Sequence, residues 1–400
     1  MRRNDKILLA VVVLLTLCWW HYLDSKPDLP LSTEIDADGL VSPQRAIMDG
    51  GNQHVVAEDL DQKDAKTKTI LLWNDYAFIY QEKYEPVFQG CAVSACQIVT
   101  DRTRAKDMDA IVFNIATNNF AKECQGESPD CEIPQEKPPH QVWIFHTLEA
   151  PCQVFFKAHK NKDMLSNSFN WTFTHRKDSD VYSPLGVIEK REVPLQRDFY
   201  EVARKKKKLV GWLVSHCETP SKRELYVKEL QKYVDVEIIG KCGKPCPYKC
   251  LEYVNNTFKF YLAFENSLAE GYITEKFYRT VNLDVVLISR SGVNYTELGI
   301  LPNWHINTAD FPSPQALAEY LLALDKDDSK YVPYLEWRNH YVSSRGLDKP
   351  YVSWCDLCAK MHESPRRSQV YSRQEIIDWY YPPGADRFRG CKIPSDFSGA

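Results

Sequence analysis

The polar residues best suited to chemistry lie in one stretch, residues 260–279. An apolar strand predicted there ends at Glu265, Asn266 and Ser267, whose polar groups are able to bind a ribose or a sugar. A helix predicted over residues 273–283 follows, with Thr274 and Lys276 in its first turn. The N-terminus of a helix offers unpaired N–H groups to a phosphate, and Lys276 adds a full positive charge. The stretch therefore predicts a nucleotide-diphosphate site.

The same residues also have an ordinary structural interpretation. Glu275 and Arg279 are four residues apart, as in a surface ion pair on a helix, and Glu265 could simply cap the end of a strand. The spacing of these residues does not decide between the two interpretations.

Three further carboxylates follow or lie between predicted strands. Glu149 comes after the apolar run 142–146, so it would stand at a strand's carboxyl end, where the cleft of an α/β protein opens. The alternative is a solvated loop carboxylate beside Pro151. Asp178 and Asp180 are separated by one residue and could share a hard divalent cation.

The elements that must position these residues alternate between strand and helix patterns. Helices are predicted from Ser221, where Ser-Lys-Arg-Glu reads as a capping box, and from Ser313 to about Leu324. This alternation predicts α/β layers with right-handed crossovers. Seven short apolar runs have the composition of buried parallel strands: residues 69–73, 110–115, 142–146, 209–214, 234–239, 258–264 and 284–289.

Length and charge narrow the function classes. A chain of 400 residues is too long for one ordinary core, and we place a boundary at the lysine run that begins at Lys205, between an α/β domain of residues 68–204 and a second of residues 205–400. The formal net charge of −4 gives no global positive field, so nucleic acid is disfavoured as the main partner. The absence of GxGxxG and P-loop motifs disfavours dinucleotide oxidoreductases and P-loop enzymes.

The N-terminal residues predict a membrane anchor. Residues 7–23 form an apolar run that follows Arg2, Arg3 and Lys6 and ends in aromatic residues. This pattern predicts a cytoplasmic tail of residues 1–6 and a lumenal remainder, which is type II topology. The alternative, a cleaved signal peptide, lacks a small-residue cleavage site. Residues 24–67 contain no cysteine, tryptophan, tyrosine or phenylalanine and predict a flexible stem.

The cysteine usage predicts disulfides. Of the 13 cysteines, all but Cys18 lie beyond the predicted anchor, and their even number suits an oxidising lumen. Cys124 and Cys131 could close a local loop, and the other pairings stay open. A zinc or redox site is the alternative for two groups of cysteines: Cys242, Cys246 and Cys250, and Cys355 and Cys358. Neither group has histidines at ligand spacing nearby, which favours disulfides.

Three sequons could accept N-linked glycans if they are exposed. They begin at Asn170, Asn255 and Asn294. Asn170 and Asn294 lie beside suspected functional segments, which speaks against their occupancy.

The string FYLAFENSLAEGYITEKFYRTV resembles the donor-binding signature of the α1,3/α1,4-fucosyltransferases, and NWTFTHRKDSDVYSPLG, which begins at Asn170, resembles the other signature of that family. SKRELYVKEL followed by IGKCG also resembles a segment of these enzymes. The motifs occur in the order found in the family, and the chain resembles it from about Ile70 to Cys391. The resemblance implies a GT-B architecture, in which an N-terminal acceptor domain and a C-terminal GDP-fucose domain, both Rossmann-like, face each other across a cleft.

The resemblance also implies a donor site. Arg223, Tyr272, Glu275 and Lys276 match positions that hold GDP-fucose in the family. Arg223 and Lys276 would neutralise the departing diphosphate, for which a guanidinium fork and an ammonium point charge are suited. Glu275 would meet the fucose or the ribose. Two further residues would line the same pocket, Glu265 and Asn266.

Glu149 matches the catalytic carboxylate of the family. As a general base it would take the proton from an acceptor hydroxyl while an α-fucoside forms with inversion. Asp178 and Asp180 lie within a signature of a family that looks metal-independent, and Arg176 adds positive charge beside them. We interpret these three residues as lining the cleft and expect no required metal or other cofactor, with stimulation by Mn²⁺ or Mg²⁺ left open.

The C-terminal Trp354–Cys358 segment with the distant Cys391 resembles enzymes that act on the core of N-glycans. We therefore expect a Golgi-anchored α1,3-fucosyltransferase that uses GDP-fucose and prefers the core N-acetylglucosamine of glycoprotein N-glycans. The alternatives are transfer to antennary N-acetyllactosamine, α1,4 linkage, a metal-dependent enzyme centred on Asp178 and Asp180, and a glycan-binding protein without turnover. The sequence also leaves open whether two copies of the chain form a homodimer.

Overall fold

A computed structural model describes residues 66–74, 87–116, 134, 136–158, 168–345, 352–363, 370–380 and 391–397. All of them belong to one compact unit, residues 61–400. The predicted anchor of residues 7–23, nearly all of the predicted stem, and Cys124 with Cys131 lie outside the described residues. None of the helices that the structure describes is both long and apolar enough to cross a bilayer.

The first sheet is parallel and has six strands. They are β1 (Lys68–Leu72), β2 (Cys96–Val99), β3 (Ala110–Asn114), β4 (Val142–Thr147), β5 (Trp171–Thr174) and β6 (Val181–Tyr182). Their order in the sheet is β2-β1-β3-β4-β5-β6. The central strands are buried because apolar side chains point to both faces, as in other parallel sheets.

The other seven strands are β7 (Gly186–Lys190), β8 (Lys208–Leu213), β9 (Val236–Ile239), β10 (Phe258–Phe264), β11 (Val286–Arg290), β12 (Ile306–Asn307) and β13 (Tyr341–Arg345). Five of them form the second sheet, which is also parallel and has the order β12-β11-β10-β8-β9. The remaining two, β7 and β13, form a small antiparallel ladder. The seven predicted strands are confirmed, with ends that differ by up to two residues.

Helices connect the strands and cover the sheets. Numbered among the described residues, they are α1 (Pro151–Ala158), α2 (Phe199–Lys205), α3 (Arg223–Leu230), α4 (Cys250–Thr257), α5 (Glu275–Tyr278), α6 (Pro314–Asp325), α7 (Asp328–Tyr331), α8 (Pro333–Glu336), α9 (Val352–His362) and α10 (Arg373–Tyr380). The prediction of an α/β fold with parallel sheets is confirmed.

All three predicted helices are present, but the predicted cap of one and the predicted length of another are wrong. The hydroxyl of Ser313 accepts the Ala316 N–H and caps α6. Ser221 does not cap α3, because its hydroxyl donates to the carbonyl of Glu265 at 2.7 Å, and the helix begins after Lys222 without a side-chain cap. The helix predicted over residues 273–283 is shorter, because α5 ends at Tyr278 and the chain continues in turns.

Disulfides connect distant parts of the chain. The prediction of disulfides in place of zinc is confirmed for the described cysteines, and Cys355 and Cys358 pair with different partners and not with each other. The bonds are Cys91–Cys355, Cys96–Cys358, Cys152–Cys391, Cys217–Cys242 and Cys246–Cys250.

The C-terminal helices return to the first sheet. Trp354 and Leu357 of α9 pack on one face of that sheet, and Ile376 and Tyr380 of α10 pack on the other. By contrast, α2 contributes Phe199 to the core of the second sheet. The boundary at residue 205 stays a prediction, and the structure adds that residues after the second sheet complete the core of the first.

Buried histidines predict how stability depends on pH. Burial lowers the pKa of His146 and of His305 to about 4, and that of His175 to about 3. Because the unfolded chain binds these protons near pH 6.5 and the folded chain does not, the free energy of unfolding should fall as the pH drops from about 6.5 towards 4. Each histidine contributes at most about 1.4 kcal/mol per pH unit.

Denaturant titrations between pH 7.5 and 4.5 measure this slope. His146→Gln keeps a donor for the Phe173 carbonyl, which lies 2.6 Å from the ring nitrogen, and should flatten the slope. His140→Gln, at an exposed position, is the control for the loss of one histidine. Equal slopes in the wild type and in His146→Gln would contradict the prediction.

Candidate active site

The strand order of the second sheet marks where a ligand would bind. The chain moves from β8 to β9 on one side and then places β10 on the other side of β8, and ligands of α/β sheets bind outside the carboxyl ends at such a reversal. Arg223 begins α3 after the β8 loop, and Glu265 directly follows β10. The predicted donor-site residues therefore lie at this edge.

Glu265 is a buried carboxylate at this edge, with 1% of its surface exposed. It accepts the backbone N–H and the hydroxyl of Thr274, each at 2.8 Å at its closest, and Lys276 Nζ lies 3.6 Å away. Burial raises the pKa of Glu265, and the charge of Lys276 opposes that rise. The expectation of unpaired N–H groups at the start of α5 is therefore wrong at Thr274, whose N–H is bound to Glu265.

Lys276 and Glu275 form the more accessible part of this cluster. Lys276 Nζ lies 3.0 Å from Glu275 Oε1 and 3.1 Å from the Thr274 hydroxyl, and its side chain is 28% exposed. Burial disfavours the ammonium, but the charges of Glu265 and Glu275 outweigh it and raise the pKa of Lys276. A lysine that stays charged and reaches solvent can meet an anionic ligand.

Arg223 is buried beneath the same edge. Its guanidinium donates to the carbonyl of Phe264 at 2.6 Å and to that of His216 at 3.1 Å, and burial lowers its pKa. Among the described residues, neither Arg223 Nε nor Asn266 Oδ1 has a hydrogen-bond partner. Buried polar atoms rarely stay unpaired, so the polar groups of a ligand fit this edge.

Glu149 is exposed in the loop between β4 and α1. Its N–H donates to the Thr147 hydroxyl at 3.1 Å, and its carbonyl accepts the hydroxyl of Tyr380 at 2.5 Å. Tyr272 donates its hydroxyl to Glu149 Oε2 at 3.5 Å. Burial, together with the charge of Glu149, raises the pKa of Tyr272 well above its usual value, so the phenol keeps its proton. A loop of the first sheet thus contacts the loop that leads to Lys276.

A disulfide and a small apolar cluster hold these two loops together. Cys152, in the first turn of α1, is bonded to Cys391, and both pack with Ala150, Ala269 and Tyr272. The segment after Cys391 is tied to the second loop by the hydrogen bond from the Lys392 N–H to the Leu268 carbonyl, at 3.0 Å. Sequence reasoning counted these cysteines without assigning them to the site.

Sequence reasoning also missed two aromatic rings at the site. The buried ring of His175 lies 5.3 Å from that of Tyr272 and 6.1 Å from that of Tyr380. His175 lies inside the motif that begins at Asn170, and this was a signal that it belongs to the site. Burial, with a smaller contribution from the charge of Arg176, lowers the pKa of His175 to about 3. Tyr380 belongs to α10, a segment that carried no motif.

Asp178 and Asp180 do not converge on one point. Both oxygens of Asp178 accept from the Arg176 guanidinium, at 2.8 and 2.9 Å, whereas Asp180 accepts the Thr172 N–H at 2.9 Å and the Tyr371 hydroxyl at 3.0 Å. Across the described ranges, the grouping of potential metal ligands that stands out is Cys96, Cys358 and His362, and its two cysteines are joined in a disulfide.

The three sequons differ in exposure. Asn170 is buried and its side-chain oxygen accepts the Trp143 N–H at 2.9 Å, so it does not meet the exposure on which its assignment as a glycosylation candidate depends. Asn255 is half-buried in α4 and its side-chain oxygen accepts the Asp284 N–H. Asn294 is exposed.

An exposed carboxylate beside a cation-bearing loop, both after parallel strands, suits an enzyme that transfers a group from an anionic donor. The model for the fucosyltransferase N-terminal region matches residues 65–186, and the model for the C-terminal region of glycosyltransferase family 10 (fucosyltransferase) matches residues 203–379. The chain therefore belongs to glycosyltransferase family 10 and is a fucosyltransferase.

Curated relatives agree with this assignment. The chain is 30% identical over 383 residues to the 3-galactosyl-N-acetylglucosaminide 4-alpha-L-fucosyltransferase FUT3 of Bos taurus, covering 93% of this chain and 94% of that one. It is 31% identical over 340 residues to the glycoprotein 3-alpha-L-fucosyltransferase A of Drosophila melanogaster, covering 81% of this chain and 62% of the relative.

Solved structures of an α1,3-fucosyltransferase are also similar to this chain. The structure with GDP-fucose has a TM-score of 0.39 and 14% sequence identity, and the match covers 77% of this chain and 94% of that one.

Removal of the Thr274 hydroxyl should destabilise the protein. Thr274→Val leaves the buried Glu265 carboxylate without two of its contacts, which should lower the free energy of unfolding by about 2–3 kcal/mol. Thr280→Val is the matched control on the same segment, because its hydroxyl bonds only the backbone carbonyls of Lys276 and Phe277 and should cost about 1 kcal/mol or less. Denaturant titration compares the two, and equal losses would show that Glu265 does not depend on Thr274.

Proposed function

We propose that this enzyme moves L-fucose from GDP-fucose to an N-acetylglucosamine of glycoprotein N-glycans with inversion at the anomeric carbon. The observation that carries the proposal is the position of Glu149. It is an exposed carboxylate at the carboxyl end of β4, and it contacts Tyr272 of the loop that leads to Lys276.

Glu149 acts as the general base in this proposal. It takes the proton of an acceptor hydroxyl while the hydroxyl oxygen bonds to the anomeric carbon, and the bond from that carbon to the phosphate oxygen breaks with its electron pair leaving on GDP. The transition state resembles an oxocarbenium ion. Tyr272 keeps its proton and donates to Glu149, so it orients the carboxylate.

Lys276 and Arg223 stabilise the negative charge that develops on the leaving diphosphate. Lys276 reaches solvent at the carboxyl edge of the second sheet, and Arg223 is buried at the same edge with an unpaired Nε. Glu275 faces the fucose or the ribose, and Glu265 and Asn266 line the pocket. We infer that the two parallel sheets are the two Rossmann-like domains of a GT-B enzyme.

We favour the core N-acetylglucosamine as acceptor. The Drosophila relative is named a glycoprotein 3-alpha-L-fucosyltransferase, and the C-terminal cysteines that suggested this acceptor are placed against the first sheet by their disulfides. Transfer to an antennary N-acetyllactosamine is the second candidate. The relative from Bos taurus is named for a related disaccharide, a 3-galactosyl-N-acetylglucosaminide.

The proposed cellular setting follows from the N-terminal sequence. An apolar run at residues 7–23 after Arg2, Arg3 and Lys6 would hold the enzyme in the Golgi membrane with its catalytic part in the lumen. The enzyme is proposed to need no metal, since Asp178 is paired with Arg176 and Asp180 faces other partners. A homodimer is compatible with this setting.

Transfer of labelled fucose from GDP-fucose tests the proposal directly. We expect the purified enzyme to transfer fucose to a glycopeptide with the N-glycan core faster than to N-acetyllactosamine, and to keep its activity in excess chelator. A preference for N-acetyllactosamine would favour the antennary acceptor. Loss of activity in chelator that Mn²⁺ restores would contradict the metal-independent mechanism, and no transfer to either acceptor would contradict the proposed reaction.

Replacement of Glu149 tests the role of the base. Glu149→Gln keeps the shape of the side chain but cannot accept the proton, so kcat should fall by about 10²- to 10⁴-fold while GDP affinity stays unchanged. Glu252→Gln, an exposed carboxylate on α4, is the control and should behave as the wild type. Full activity of Glu149→Gln would remove this residue from the mechanism.

A further inference from the structure

Trp379, in the last turn of α10, has an aromatic ring that is half-buried beside the candidate active site. Its Nε1–H donates to Asp178 Oδ2 at 2.9 Å, and its ring centroid lies 5.0 Å from the centre of the Arg176 guanidinium. The ring is therefore held in place from two directions and also packs against the core of the first sheet, while the residue as a whole stays partly exposed.

Trp379 is connected to both sides of the site. On the donor side, Arg176 Nη1 donates to Glu270 Oε2 at 3.3 Å. A Cβ on Gly271, whose φ is +68°, would lie 3.5 Å from the Arg176 Cα, an ordinary van der Waals distance, so the loop packs against Arg176. The next residue is Tyr272, which contacts Glu149. On the base side, the neighbour of Trp379 on α10 is Tyr380, which donates to the Glu149 carbonyl.

The groups around Trp379 suit a neutral sugar. The side chains of Asp178 and Glu270 are 53% and 58% exposed, whereas that of Arg176 is 9% exposed, so carboxylates and not the cation face solvent here. Exposed carboxylates accept hydrogen bonds from hydroxyl groups, and an aromatic ring packs against the apolar face of a pyranose. Two carboxylates around one guanidinium leave one net negative charge, which disfavours a phosphate.

We propose that Trp379, with Asp178 and Glu270, forms an acceptor subsite that binds the sugar ring adjacent to the one that receives fucose. The inference rests on the proposed function and deepens it, because it assigns a surface for the acceptor that is separate from Lys276 and Arg223. In this proposal, Trp379 sets the affinity for the acceptor and takes no part in binding the donor.

Two substitutions separate the ring face from the hydrogen bond. Trp379→Ala removes the aromatic surface and should raise the acceptor KM about tenfold or more, with an unchanged KM for GDP-fucose. Trp379→Phe keeps a ring but loses the bond to Asp178, so its acceptor KM should lie between those of the wild type and Trp379→Ala. Tyr200→Ala is the matched control, since this exposed ring on α2 precedes the amino end of β8 and so lies at the opposite edge of the second sheet from the site.

The measurement has two parts. Steady-state kinetics with the core glycopeptide and with N-acetyllactosamine give the KM values, and calorimetry gives the affinity of the GDP-bound protein for each acceptor without turnover. An unchanged acceptor KM and affinity in Trp379→Ala would overturn the proposal. A parallel loss of GDP affinity would overturn it too, because it would show a role in folding the site.

Failure of the proposed function gives a different result. If the wild type transfers no fucose, the proposed reaction fails, while the calorimetric affinity for the glycans still tests the subsite. Weaker glycan binding by Trp379→Ala than by Tyr200→Ala would support the subsite, and equal binding would overturn it.

Discussion

The contact between Tyr272 and Glu149 is the constraint on which the arrangement of the site depends. Glu149 belongs to a loop of the first sheet, and Tyr272 to a loop that follows β10 of the second. Neither loop has regular structure to fix it, so other interactions must position it. The Cys152–Cys391 disulfide, the apolar cluster around it and the Tyr380 hydroxyl supply these interactions. In the proposed reaction, the base and the donor loop can cooperate only if their separation is fixed in this way, because misplacement of reacting groups by about 1 Å can cost two orders of magnitude in rate.

The carboxyl edge of the second sheet, where Glu265, Thr274 and Lys276 lie, shows how buried charge is balanced. Glu265 is almost fully buried, and an isolated carboxylate there would be costly. Two hydrogen bonds from Thr274 and the nearby Lys276 offset that cost. In return, Glu265 and Glu275 keep Lys276 protonated despite its partial burial. The motif is thus a set of mutually dependent groups in which the buried acid supports the accessible cation. This dependence gives a physical reason for an acid, a threonine and a lysine to occur together.

Local sequence patterns predicted seven of the thirteen described strands well and the helix starts less well. An apolar run such as residues 258–264 is sufficient to form a buried strand, because its side chains pack on both faces wherever the strand lies. Ser313 caps α6 as its local pattern predicts. Ser221 also carries a capping pattern, but its hydroxyl donates to the carbonyl of Glu265, which follows β10 and lies 44 residues away in the sequence. Tertiary contacts therefore override capping signals where a loop is packed against a second element.

The sequence by itself determined the family and the α/β class, and it predicted Glu149, Lys276 and Arg223 as site residues, because motifs and short apolar runs are local features of the chain. Only the tertiary structure decided which cysteines pair, that Asp178 and Asp180 face different partners, and that α10 brings Trp379 and Tyr380 to the site. Three of the described disulfides, the bond from Tyr371 to Asp180 and the contacts of α10 join residues more than a hundred positions apart, and the pairing of Asp178 depends on the direction of a single side chain. Chain packing fixes such relations, and no local spacing encodes them.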